Sequence, residues 1–247
     1  MDLVIRLASP IQTWAAYRVA HTDVAATPIP TKSGIAGLLA ACIGTRDYLS
    51  LLDQFILRVR VDRTNAADTD LQVAVPPRPG RDTDQWHRSA SLHAACQAIG
   101  SGGQPKPYRA TKINITGGTN RVQYSPNRTF IPHAEFICHL GVEANLAAQL
   151  IEGFRRPVYT PYLGRMANPA SFPFYLGAWP GDGDVLAALP YVLRHDELPD
   201  TDPPRALRVH TVTGGYTQHQ TSLQLVTPPR ATTRDAQLGW AKEHLTR

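Results

Sequence analysis

Arg165 follows Gly164 in the run Tyr-Thr-Pro-Tyr-Leu-Gly-Arg-Met-Ala-Asn-Pro at 159–169, which sets a cation beside an accessible backbone. A guanidinium offers a planar fork of donors that suits phosphate oxygens. Gly164 lets the backbone approach a ligand closely or adopt positive φ. The bare dipeptide is equally an ordinary turn carrying a surface arginine. A second place fit for a phosphate lies at Thr31, Lys32, Ser33 and Gly34. A helix beginning there brings amide N–H groups, the positive end of its dipole and Lys32 together. The flanking glycine pattern of a P-loop is missing, so nucleotide hydrolysis is not expected. A third group, Gln12, Thr13, Trp14, Tyr17 and Arg18, mixes hydrogen-bonding, stacking and cationic side chains. Single-stranded nucleic acid is held by such mixtures. The alternative is that Trp14 and Tyr17 cover the edge of the core.

The charge pattern points the same way. No Asp or Glu occurs over 85–134, while Arg88, Lys106, Arg109, Lys112, Arg121 and Arg128 do, with His87, His93 and His133. Trp86, Tyr108 and Tyr124 are interleaved. Cations with aromatics and no acids suit a nucleic-acid backbone, or else an acidic protein partner. The whole chain carries a formal net charge of +5 over 247 residues.

Positioning these residues requires a scaffold, and the periodicities describe one. Leu3 to Leu7 read as a buried strand ended by Ser9 and Pro10. Ile35, Leu38, Leu39, Cys42 and Ile43 share one helical face, with Thr31 or Ser33 as N-cap and Gly44 as the stop. Residues 55–61 alternate apolar positions with Arg58 and Arg60, predicting a half-exposed strand. A third strand over 134–142 leads into a helix over 143–154 that Pro157 stops, and 174–179 supply a fourth strand. The order strand, helix, strand, strand, helix, strand is the ferredoxin-like, split βαβ plan of an α+β fold, shared with RNA-recognition modules. The middle strands lack the aromatic motif of ordinary RNA-recognition modules, so stacking on the sheet face is not expected. The reading is one domain over 1–247, a long inserted thumb over 70–132 and a C-terminal β extension over 180–247. In that extension 207–212 and 223–226 read as strands, 232–246 as a helix, and the acids over 182–202 as surface groups.

Composition excludes other classes. Cys42, Cys96 and Cys138 are odd in number and match no zinc spacing, so they read as neutral thiols, with no metal or cofactor expected. No basic-then-apolar leader and no membrane-length apolar run occurs, which predicts a cytoplasmic protein with no membrane partner.

Four segments then resemble one family. Arg-Leu-Ala-Ser-Pro-Ile-Gln-Thr-Trp at 6–14 looks like the start of CasD, the crRNA 5′-handle-binding subunit of the type I-E CRISPR Cascade complex. Pro-Thr-Lys-Ser-Gly-Ile-Ala-Gly-Leu-Leu-Ala-Ala-Cys-Ile-Gly at 30–44 resembles that family's first helix. Arg-Thr-Phe-Ile-Pro-His-Ala-Glu-Phe at 128–136 is similar to the start of its third strand, with His133 where Asp is expected. The run 159–165 matches most closely, although Met166 and Asn168-Pro169 replace a second basic residue and a Cys-Pro. The resemblance implies a palm with a projecting thumb and a non-catalytic subunit of an antiviral ribonucleoprotein. Its implied partners are the crRNA 5′ handle, the large PAM-reading subunit, a backbone subunit and, as an open option, target DNA near the PAM. Charge, motif and resemblance together give the expected RNA contacts as Gln12, Trp14, Arg18, Lys32, Ser33, Arg109, Lys112, Arg128, Tyr162, Gly164 and Arg165. The rival is a metal-independent endoribonuclease that processes precursor crRNA, which needs a base, an acid and a cation, with Tyr108, Lys112 and His133 as the candidates for these roles, none assigned individually. A pure protein-binding scaffold is the third class.

Overall fold

The computed structural model describes residues 1–18, 24–71, 127–192, 205–214 and 220–246. Strand β1 (Asp2–Ala8) is buried from Leu3 onward, so both of its faces need covering. Helix α1 (Lys32–Ile43) starts at Thr31, whose hydroxyl accepts the Gly34 N–H at 3.1 Å, and ends at Gly44 with φ 79°. Strands β2 (Phe55–Arg63) and β3 (Glu135–Val142), helix α2 (Ala144–Arg155) and strand β4 (Tyr175–Trp179) follow where the periodicities place them.

β3 pairs with both β1 and β2, and β4 pairs with β1, all antiparallel. β5 (Leu207–Thr213) adds to β2, and β6 (Gln220–Val226) adds to β5. The result is a six-stranded antiparallel sheet in the order β6-β5-β2-β3-β1-β4. With α3 (Val185–Ala188) and α4 (Arg234–His244) the described residues form a mixed α/β fold with four helices.

The chain divides into two compact units. One comprises Met1–Tyr17, Ala25–Asp68 and Thr129–Arg247; the other comprises Arg18–Val24 and Thr69–Arg128. The six-stranded sheet and the four helices lie in the first. Within the second, Val24 pairs with Arg128 in parallel.

Side chains alternate across each strand, and the two faces of the sheet carry separate cores. Leu3, Ile5, Leu57, Val59, Phe136 and Cys138 pack with Ile35, Leu39, Leu150 and Phe154 of α1 and α2. Val4, Ile137, Leu176 and Val209 pack with Leu186, Leu189, Tyr191, Ala241 and Leu245 from the C-terminal segment. That second layer covers the sheet face opposite α1 and α2.

The covering layer corrects two sequence readings. Arg60 was expected on a half-exposed strand and is fully buried. Its Nε and Nη2 donate to Asp62 at 2.6 and 2.9 Å, and Nη1 donates to the carbonyls of Leu186 and Leu189 at 2.6 and 2.5 Å. Carbonyls at the end of α3 replace the water an arginine would otherwise require. Asp184 was read as one of several loose surface acids. It accepts two bonds from Arg58 at 2.9 and 2.7 Å and caps α3 through the Leu186 N–H at 3.0 Å.

Glu135 is a second polar tie. It accepts from Arg6 Nε at 2.9 Å and from Arg234 Nη2, at the start of α4, at 2.5 Å. Burial pushes its carboxyl up, but bonds and charge from Arg234 and then Arg6 outweigh this and hold it below the ordinary glutamate value. Burial also pushes the Cys42 thiol up to about 12 and the Cys138 thiol well above its usual range, so both are neutral. Among the described residues no helix is long and apolar enough to cross a membrane.

A carboxyl depressed in the folded state contributes stability above its unfolded pKa and loses it as pH falls through the folded value. Wild-type stability is therefore expected to drop as acid takes the pH below about 4.3, the ordinary glutamate value. Glu135→Gln should weaken that acid dependence. Thermal melts of both proteins against pH check this; parallel curves contradict it.

Candidate nucleic-acid interface

Residues 11–14 are a crossing point. Ile11 and Gln12 pair with Pro132 and Ile131 on the strand that precedes β3. Gln12 is fully buried, donating from Nε2 to the carbonyls of Leu7 at 3.1 Å and Ala134 at 2.8 Å. Its Oε1 accepts the Trp14 indole N–H at 3.0 Å. The Trp14 ring lies on the first turn of α1, where a Cβ on Gly34 would come within 2.8 Å of it. Trp14 is 1% exposed.

The expectation that Gln12 and Trp14 present polar and stacking groups to RNA is corrected here. Both are in the core, and their polar atoms bond within the protein. Gln12 and Trp14, two residues on, build an internal lock. Of the two readings open for Trp14, packing is the observed one.

Thr13 ties the same crossing point to the Gly-Arg loop. Its N–H donates to the Leu163 carbonyl at 3.1 Å, and its hydroxyl accepts from Asn168 Nδ2 at 3.2 Å. Gly164 has φ 89°, and a Cβ there would lie 1.5 Å from the Thr13 carbonyl oxygen. Both properties foreseen for Gly164, positive φ and close backbone approach, are thus present, but the approaching group is Thr13 rather than a ligand. The loop closes on itself, with Leu163 N–H donating to Asn168 O at 2.7 Å and Asn168 N–H donating to Arg165 O at 2.9 Å.

The start of α1 and the Gly-Arg loop are therefore both built against one short segment, the first through Trp14 and the second through Thr13. At the helix start, Lys32 Nζ sits 5.3 Å above the Phe55 ring, a cation–π contact, and Ser33 Oγ lies 3.5 Å from Thr31 Oγ1. At the loop, Arg165 is half-buried, while Tyr162 and Met166 are exposed. Arg18 closes the strand Ala15–Arg18, and Arg128 lies on the strand Asn127–Pro132. Arg109 and Lys112, with Tyr108, lie outside the described residues.

His133 occupies the turn into β3 with φ 49°, exposed, its N–H donating to Pro10 O at 2.8 Å. Asp and Asn tolerate that left-handed conformation well, which accounts physically for the Asp expected at this position. Among the described residues no group of three or more His, Cys, Asp or Glu could hold a metal ion.

Sequence reasoning missed Phe172, which is 70% exposed. The signal was available: 153–181 holds no Asp or Glu, but does hold Arg155, Arg156 and Arg165 among aromatics. It is the pattern already noted over 85–134, in a shorter segment.

A family model described as CRISPR-associated protein (Cas_Cas5) matches residues 2–238. The chain is 27% identical over 200 residues to the CRISPR system Cascade subunit CasD of Escherichia coli (strain K12), covering 76% of each chain. It is similar in fold to a chain of a CRISPR RNA-guided surveillance complex, with TM-score 0.69 and 17% identity, over 98% of this chain and 100% of that one. A solved Cas protein is similar over 94% of this chain and 100% of its own, with TM-score 0.55 and 21% identity.

The Thr13 contact makes a direct forecast. Gly164→Ala places a methyl on a carbonyl oxygen and is expected to cost more than about 1 kcal/mol, the scale for Ala introduced where φ is positive. Urea denaturation of the two proteins measures it. Equal midpoints would show that the loop is not held against Thr13.

Proposed function

We propose, from the premise that this chain belongs to the CRISPR-associated protein (Cas_Cas5) family, that it is a Cascade-type subunit binding crRNA. Its role is to cap the 5′ handle without cutting it. The observation that carries this reading is the convergence of the helix start at Thr31–Ser33 and the Gly164–Arg165 loop on the segment Gln12–Trp14. Two phosphate-compatible elements fixed to one segment cannot drift apart. A cap needs such a static arrangement, because preorganised donors lose little freedom on binding.

In this reading Arg165, Lys32, Ser33 and Tyr162 touch the RNA, while Gln12, Trp14 and Gly164 hold them in place. Arg109, Lys112 and Arg128 of the basic insertion over 70–132, together with Arg18, are the further candidates for contact with the RNA backbone. The palm is of the ferredoxin-like kind: the strand order β2-β3-β1-β4, with α1 and α2 on one face, supports that assignment. The handle lies away from the sheet face that the C-terminal segment covers. The capped end is seated beside the large PAM-reading subunit and the last backbone subunit, near target DNA. The protein is a cytoplasmic, non-catalytic component. Cleavage would need a proton acceptor within reach of a 2′-hydroxyl as well as a cation for the phosphorane.

Incubating the purified chain with labelled repeat RNA in the presence of a chelator tests this. Retention without cleavage is expected. Cleavage would make the protein a processing nuclease, and absence of both would leave a protein scaffold. Arg165→Ala should weaken retention by about 1–3 kcal/mol, the scale for a lost hydrogen bond to a charged group; unchanged affinity removes the loop from the interface.

Reversing the charge of Arg109 and Lys112 together should lower RNA affinity and flatten its dependence on salt, because fewer counterions are released. Titrations at several salt concentrations measure the slope. A loss of affinity at unchanged slope contradicts phosphate contact by these two residues.

A further inference from the structure

The segment that carries Arg165 is an excursion with two arms. Pro161 to Leu163 form one arm and Asn168 to Ala170 the other. The arms are joined by Leu163 N–H to Asn168 O at 2.7 Å, Ala170 N–H to Pro161 O at 3.3 Å and an antiparallel bridge between Tyr162 and Pro169. Gly164 and Arg165 are at the tip. The base is pinned where the Ser171 N–H donates to the carbonyl of Ala8, the last residue of β1, at 2.8 Å. Tyr162 is on the first arm, 38% exposed, and Phe172 stands just beyond the second, 70% exposed.

Phe172 is exposed but not loose. Its ring packs against buried Phe174 at 5.6 Å and 78°, and Phe174 packs against Phe154 of α2 at 5.5 Å and 84°. Edge-to-face contacts of this kind fix ring orientation. A large apolar ring is therefore held rigidly in water, at a cost of exposed apolar area that the fold itself does not recover. The surrounding charge selects what can cover it. Residues 153–181 contain no acid, and Arg155 and Arg156 are exposed at the end of α2. A basic segment without acids, carrying an exposed ring that Phe174 backs, matches unpaired nucleotides: base faces meet rings and phosphates meet cations.

We propose that Tyr162, on the first arm, and Phe172, just beyond the second, form a stacking platform for unpaired nucleobases of the RNA held at the Gly-Arg tip. The inference rests on the RNA-binding reading given above and adds to it a mode of contact. Stacking on a ring is sequence-tolerant, because every base has a π face. This platform therefore fixes where bases sit and leaves their identity to other contacts.

The test uses the full chain and repeat RNA carrying 2-aminopurine singly at successive handle positions, in chelator. Wild-type protein should alter the fluorescence of at least one position on binding. Phe172→Ala should remove that change and weaken binding roughly 5- to 150-fold, the range for one lost base–aromatic stack. The salt slope should stay as in wild type, since stacking releases no counterions, whereas Arg165→Ala should flatten it. Phe172→Trp should restore both the fluorescence change and the affinity, and Phe172→Leu, apolar without a π system, should not. Because the ring is mostly exposed, the alanine variant should melt with the wild type, and that melt is measured alongside. Wild-type binding with unchanged affinity and fluorescence in Phe172→Ala overturns the platform while leaving the RNA-binding reading intact. The same is true if Phe172→Ala loses association with other complex subunits but binds RNA normally, which would make the patch a protein interface. Absence of RNA binding by the wild-type chain overturns both.

Discussion

Thr13 and Gly164 approach so closely that no side chain fits between them, and this backbone contact fixes the geometry of the candidate interface. A Cβ on residue 164 would fall 1.5 Å from the Thr13 carbonyl oxygen. One residue before Thr13, Gln12 is held by the carbonyls of Leu7 and Ala134; one residue after, Trp14 lies on the first turn of α1. Three consecutive residues thus fasten β1, α1 and the Gly-Arg loop to each other. Such a lock leaves Arg165 and the start of α1 little freedom relative to each other, and preorganised donors lose little freedom when they bind a polyanion.

The rest of the first unit protects that arrangement. The sheet would offer an open face if the chain ended at β4. Instead α3 and α4 cover it with Leu186, Leu189, Ala241 and Leu245. Apolar burial supplies the drive, and two buried ion-pair systems set the register. Arg60 with Asp62 reaches the carbonyls ending α3, while Glu135 joins Arg6 of β1 to Arg234 of α4. Removing one member leaves a buried charge without its partner, a loss of about 3–5 kcal/mol in comparable pairs. The covered face leaves the ends and loops of the sheet for the proposed interface.

Local signals carried the elements, and long-range ones escaped them. Thr31, the apolar spacing of Ile35 to Cys42 and Gly44 identify α1 from sequence alone, because caps and periodicity are local. The same holds for β1, β3 and α2. Arg60 defeated the reading because alternation with an arginine looks half-exposed, and the carbonyls that satisfy it come from a segment 126 positions away. Gln12 and Trp14 were legible as special but not as buried, since their partners at Ala134 and Gly34 are set by tertiary structure. Gly164 was legible as a place for positive φ or a close approach, or as an ordinary turn, and the fold revealed that Thr13 is the group that approaches. The acid-free basic run over 153–181 was legible, but not which of its aromatics stands exposed, because that is set by Phe174 packing against Phe172.

The central claim is that RNA is gripped along the edge formed by residues 9–14, 31–33 and 162–172, away from the covered sheet face. Ultraviolet crosslinking of 4-thiouridine-bearing handle RNA to the intact chain, with the crosslinked peptides read by mass spectrometry, tests it most directly. Crosslinks are predicted at Lys32, Tyr162, Arg165 or Phe172, with none at Leu186, Tyr191 or Leu245. Crosslinks confined to the C-terminal layer, or spread without preference over the surface, would contradict the account.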